Sequence, residues 1–135
     1  MSTTSSRSWR SRAMQPSELF RRGVVVPRTA EAEQRLMIWD VEETTPVDVL
    51  PLDDERVFLK IKNAGVFLKI NEMFGSIIDD YEQEVISWNQ CAETALMLER
   101  EYGSIQDGDV CEFCRALAGQ CMLAARRKLA LFFVL

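Results

Sequence analysis

Histidine does not occur anywhere in the 135 residues. With it go Ser-His and Cys-His nucleophile pairs, a histidine general base, and imidazole zinc sites, the HExxH helix included. Phosphate-cradling loops are missing as well, since neither GxxxxGK[ST] nor GxGxxG is present. Long apolar runs are scarce. The longest, LALFFVL at Leu129–Leu135, falls far short of the roughly 18 to 20 residues needed to span a membrane. Cysteine is limited to four residues. No apolar secretion signal accompanies them, so free thiols in an intracellular compartment, cytoplasmic or nuclear, are expected. No motif calls for a cofactor, and none is expected.

Charge is plentiful but unevenly placed. The net charge is -5, yet residues 1–29 hold six arginines and one glutamate, a balance of +5, and the remainder carries -10. The opening stretch MSTTSSRSWRSRAMQPSELFRRG is too polar to bury a core of its own, and reads as a flexible basic arm over residues 1–22. Residues 23–135 are the size of one domain around one core. Clustered guanidinium groups suit bidentate contact with phosphate. Arg7, Arg10, Arg12, Arg21, Arg22 and Arg28 are therefore the candidate anion contacts, with nucleic acid the expected partner. The same arginine-rich, serine-rich composition also fits a mitochondrial presequence, which would make the arm an address.

Hydrophobic periodicity divides the domain into a strand-rich part, 23–70, and a helical part, 71–135. GVVVP is a β-branched run stopped by Pro27. RLMIWDV, Arg35–Val41, is a strand or the tail of a helix opened by Thr29, and Pro46 and Pro51 predict a loop. The pentapeptide VFLKI occurs at 57–61 and again at 66–70, with Val, Leu and Ile alternating with Phe and Lys. That period of two, around Lys62-Asn63-Ala64-Gly65, predicts a β-hairpin. From Asn71 the apolar residues recur at helical spacing, predicting a helix of about thirty residues that ends at Gly103. A short turn follows, with Asp109 and Glu112 spaced as a capping box. A second helix then runs from Val110 to near the C-terminus. The expected fold class is α+β, predominantly helical: a basic arm, a small sheet containing the hairpin, and a long antiparallel helical hairpin.

Three cysteines lie in DVCEFCRALAGQC, and all three fall on the apolar stripe of the second helix. Cys114 and Cys121 are separated by about 10 Å of helix rise, too far for one ion with ligands about 2.3 Å away. A turn centred near residues 105–106 places Cys91 opposite Cys121. Packing is the reading for these thiols, and Cys111 and Cys114 are what remains for a zinc or redox site. The carboxylate groups Asp53-Asp54-Glu55, Asp79-Asp80 and Glu82 with Glu84 read as a solvated acidic face.

Beyond Arg126-Arg127-Lys128 the second helix would be apolar on every side. A two-helix hairpin and a small sheet cannot cover such an end. Leu129, Leu131, Phe132, Phe133 and Leu135 are therefore expected at an interface with a second copy or a protein partner. Together these features predict a non-enzymatic, self-associating scaffold or accessory protein whose arm engages an anionic partner. The alternatives are an imported organellar subunit and a cysteine-based zinc or redox protein.

Overall fold

The computed structural model describes residues 22–75, 78 and 83–135. In chain order these form β1 (Gly23–Pro27), α1 (Ala30–Met37), β2 (Val47–Pro51), α2 (Glu55–Asn63), α3 (Val66–Phe74), β3 (Gln83–Ile86), α4 (Trp88–Tyr102), α5 (Gly108–Arg127) and β4 (Leu131–Val134). The strands make one antiparallel sheet in the order β2-β1-β4-β3. The α+β, mostly helical class expected from the sequence is the class observed.

The last strand is an inner one. Val24 and Val25 of β1 pair with Phe133 and Phe132 on one side of β4. On its other side Glu84, Val85 and Ile86 pair with Phe133, Phe132 and Leu131. Successive side chains point to opposite faces. Leu131 and Phe133 join Val24 and Val26 in the core beneath α2 to α5, while Phe132 and Val134 join Val25, Leu36 and Val41 beneath α1. Phe67 meets Phe133 edge-on at 6.2 Å, and Trp39 meets Phe132 at the same separation on the other face. Both faces are covered, which is why LFFV needs no polar position.

This placement overturns the expectation of an intermolecular tail. Helix α5 ends where Lys128 turns left-handed at φ 58°. Leu129, Leu131, Phe132, Phe133 and Leu135 are all buried within one chain, none more than 9% exposed. A fully buried strand and a helix apolar all round give the same sequence pattern, and the cover comes from the protein's own sheet and helices. The reason to require a second chain there is gone.

The hairpin expected at 57–70 is also corrected. Asp54 caps α2 by accepting from the amides of Arg56 and Val57 at 3.0 and 3.3 Å. The spacing that matters within VFLKI is then Phe to Ile, three apart on a helix face. Phe58 with Ile61 and Phe67 with Ile70 are buried, while Leu59 and Leu68, placed inward by the strand reading, are exposed. Gly65, at φ 82°, separates the two helices where a hairpin turn was expected. Tyr102 donates its hydroxyl hydrogen to the Ala64 carbonyl at 3.1 Å and ties that break to the end of α4.

The thirty-residue helix is interrupted. Gly75 caps α3 in a left-handed conformation, Asn71 clamps both the amide and the carbonyl of Ile78, and β3 intervenes before α4. The two prolines predicted to enforce a loop instead bracket and end β2, an edge strand where a missing amide is tolerated. Asp107, not Asp109, caps α5. Helix α5 also holds the sheet directly: Gln120 Nε2 donates to the carbonyls of Val24 at 3.0 Å and Asp48 at 3.2 Å, bridging β1 and β2. No helix among the described residues is long and apolar enough to cross a membrane.

Phe133→Ala should lower unfolding free energy by about 3–5 kcal/mol in urea denaturation, with helix and sheet signals lost together. Ile38→Ala, at a residue 71% exposed, should stay within about 0.5 kcal/mol of the parent. Equal effects of the two would mean that β4 does not lie at the centre of the core.

Candidate functional site

Two groups of side chains were candidates for chemistry: the cysteines of the helical hairpin and the arginines near the N-terminus. All four cysteines are free thiols. The antiparallel pairing of α4 and α5 brings Cys91 against Cys121, both fully buried. Hydrogen bonding to Cys91, and then burial, push the Cys121 thiol well above its usual range. Burial, followed by repulsion from Cys111, raises Cys114 to about 12. Cys111 is half-buried, and its Sγ donates to the Gly103 carbonyl at 3.5 Å. Raised thiols at these two positions disfavour the thiolate that nucleophilic and metal-binding chemistry uses. Among the described residues no group of three or more His, Cys, Asp or Glu could hold a metal ion.

The arginines divide. Arg7, Arg10, Arg12 and Arg21 lie outside the described residues. Arg22, counted in the arm by its sequence, belongs to the folded body instead. Its guanidinium lies 4.1 Å from the centre of the Phe58 ring, pairs with Glu55, and donates to the Leu135 carbonyl at 3.4 Å. Those contacts join the entry to β1, helix α2 and the last residue. Arg28 follows β1 and grips Asp48 of β2 through two hydrogen bonds, at 3.1 and 3.3 Å. Its side chain stays 56% exposed. Asp48 also receives Arg127 at 2.8 Å, and Arg127 donates to the Pro27 carbonyl at 3.0 Å. The hydrogen bond from Arg28, and then that from Arg127, holds the Asp48 carboxyl below the usual carboxylate range. The run Arg126-Arg127-Lys128, read from the sequence as a preface to the tail, thus lands beside Arg28. Sequence spacing alone could not show that; the strand pairing does.

The carboxylate clusters have structural partners. Asp54 caps α2 and Glu55 pairs with Arg22. Lys60 reaches Asp109 at 2.8 Å and Asp107 at 3.7 Å, stitching α2 to the start of α5, and its hydrogen bond holds the Asp109 carboxyl low. Glu84 accepts from the Val85 amide at 3.0 Å, whereas Asp79, Asp80 and Glu82 lie outside the described residues. A groove of about 430 Å³ runs between α4 and α5, lined by Leu98, Glu99, Gly103, Ser104, Cys114, Arg115 and Ala118. Its polar groups do not converge: Arg115 turns to the Gly103 carbonyl at 3.4 Å, and the Cys114 thiol is held protonated. No protein-family model matches the chain, and comparison with curated proteins and with solved structures returns no match.

The raised thiols set an alkaline limit on stability. An unfolded thiol loses its proton near pH 8.5, whereas folded Cys114 holds its proton to about 12. The thiols' contribution should therefore be flat below about pH 8. It should fall from about pH 9 upward, by at most about 1.4 kcal/mol per pH unit for each such thiol. Burial also raises the Tyr102 phenol, which adds to the fall above about pH 10. Urea denaturation between pH 7 and 11 checks this. Stability that holds or rises through pH 11 would contradict the burial of these groups.

Proposed function

We propose that the protein is a non-enzymatic accessory protein that binds an anionic partner, nucleic acid, through the serine- and arginine-rich segment ahead of β1. One observation carries the reading: the distribution of positive charge. In the body, Arg22 faces Glu55, Arg28 and Arg127 share Asp48, Lys60 faces Asp107 and Asp109, and Lys69 faces Glu101. Residues 1–21 hold four arginines against the single Glu18. Arg126 and Lys128 apart, attraction to phosphate is thus concentrated in a stretch preceding the first strand, on a body of opposite net charge. The pairing of body carboxylates and the protonated state of Cys114 favour binding over catalysis. Self-association is not carried into this proposal, because the terminus that called for it is covered by its own chain.

The test uses the full-length chain. Deleting residues 1–28 would remove β1, an inner strand, so substitution is the better probe. Replacing Arg7, Arg10, Arg12 and Arg21 by Gln should cut affinity for a labelled single-stranded oligonucleotide at least tenfold at low salt. The slope of log affinity against log salt should fall by up to about 2.8, at about 0.7 for each phosphate no longer neutralised. Absence of binding by the parent chain, or affinity unmoved by the four substitutions, would overturn the proposal. Intact mass of the protein from its source separates the remaining alternative. A retained N-terminus supports the binding segment, and one beginning near residues 15–25 supports an import address.

A further inference from the structure

We propose that one end of the sheet, where Arg28, Arg126, Arg127 and Lys128 lie with Trp88, is a second contact surface for single-stranded nucleic acid. Phosphates would meet the cations and a base would stack on the indole. The proposal rests on the functional reading above and extends it to the folded body.

The topology makes the surface. Gly23 pairs with Val134 and Val25 with Phe132, so the end of β1 at Pro27 lies beside the start of β4. Ile86 pairs with Leu131, so the end of β3, and Trp88 just beyond it, reaches the same edge. Val47, the first residue of β2, pairs with Pro27 there too. Arg28 leaves the sheet at this end, and Arg126, Arg127 and Lys128 arrive at it from the last turn of α5. Neighbouring strands lie about 4.8 Å apart, so the path from β1 across β4 to β3 is about 10 Å wide. Residues from three distant stretches of sequence therefore form a short row.

The row has the chemistry of a stacking and phosphate surface. Trp88 is 42% exposed although it begins a helix, and Lys128 Nζ lies over one face of its ring, 5.8 Å from the centre. An exposed indole with a cation over one face offers a base its other face and the phosphate a counter-charge. Among the described residues neither Arg126 nor Lys128 is in an ion pair, and both are exposed. Glu31 and Glu42 line a pocket with Pro46, whose carbonyl accepts from the Arg28 amide, and two other carboxylates near the row are already engaged. Asp48 is shared by Arg28 and Arg127, and Glu33 Oε2 accepts from the Ala130 amide at 2.7 Å. Arg126 and Lys128 are thus the cations of this end that no carboxylate among the described residues neutralises, on a body whose residues from 30 onward total -10. The indole favours a single strand over a duplex, whose bases are already stacked.

Fluorescence anisotropy on the full-length chain tests this, using a labelled mixed-sequence 20-nucleotide single strand and its duplex, with vesicles containing phosphatidylserine as a separate probe. Trp88→Ala should weaken single-strand binding about 5- to 100-fold and duplex binding much less, and Trp88→Phe should restore most of it. Arg126→Gln with Lys128→Gln should lower the single-strand salt slope by about 1.4. Melting temperatures of these variants, all at exposed positions, should match the parent. If the parent binds and the four N-terminal substitutions weaken it, but Trp88→Ala and Arg126→Gln/Lys128→Gln change nothing, this surface is refuted and the functional reading stands. If the parent binds no oligonucleotide, or binds the vesicles alone, both fail.

Discussion

Four consecutive apolar residues, Leu131 to Val134, with no exposed face, are the constraint on which the rest of the structure depends. A strand of this kind must be an inner strand and must be covered on both faces. β1 and β3 satisfy its backbone on either side. Phe133 then fixes where α3 packs, through Phe67, and Phe132 fixes Trp39 after α1 on the opposite face. Trp39 holds a left-handed backbone at φ 55°, uncommon for a bulky residue, and its edge contact with Phe132 accompanies that conformation. The same strand determines which residues share an edge of the molecule. Because Leu131 follows Lys128 so closely, the cations of α5 are delivered to the end of the sheet that carries Arg28 and Trp88.

Much of the fold was legible in the sequence where the physical signal was local and unambiguous. GVVVP reads as a strand because Pro27 stops a β-branched run. Thr29 does open a helix, accepting from the Ala32 amide at 3.0 Å. The α4–α5 hairpin, and the meeting of Cys91 with Cys121 within it, follow from counting residues on either side of one turn. Short apolar segments were less legible. VFLKI satisfies a period of two through Val, Leu and Ile, and a helix face through Phe and Ile. Only the Asp54 cap and the helical break at Gly65 decide between them, and both are fainter signals than the apolar alternation. LFFV is equally consistent with a buried helix end and an inner strand, and the Lys128 turn that separates the two is not encoded by a glycine.

The candidate surface was legible in part for a related reason. Clustered arginines are visible in a sequence, but their counter-ions are not. Arg22 looks like part of the basic arm, yet the Phe58 ring and Glu55 make it a strut of the core. Arg28 stays exposed while sharing Asp48 with Arg127, a partner nearly a hundred residues away. Trp88 and Lys128 are brought together only because β3 and β4 pair. The charge excess of residues 1–21 is a property of composition and survives any fold, which makes it the firmer ground for the functional proposal.

Backbone hydrogen exchange, followed residue by residue in the full-length chain, tests the burial of β4 most directly. The amides of Phe132 and Phe133 should exchange as slowly as the slowest in the protein, opening only when the whole chain unfolds. Their rates should also be independent of protein concentration, because the cover comes from the same chain. Fast exchange across residues 131–134, or protection that grows with concentration, would contradict that burial and return the C-terminal strand to an interface between molecules.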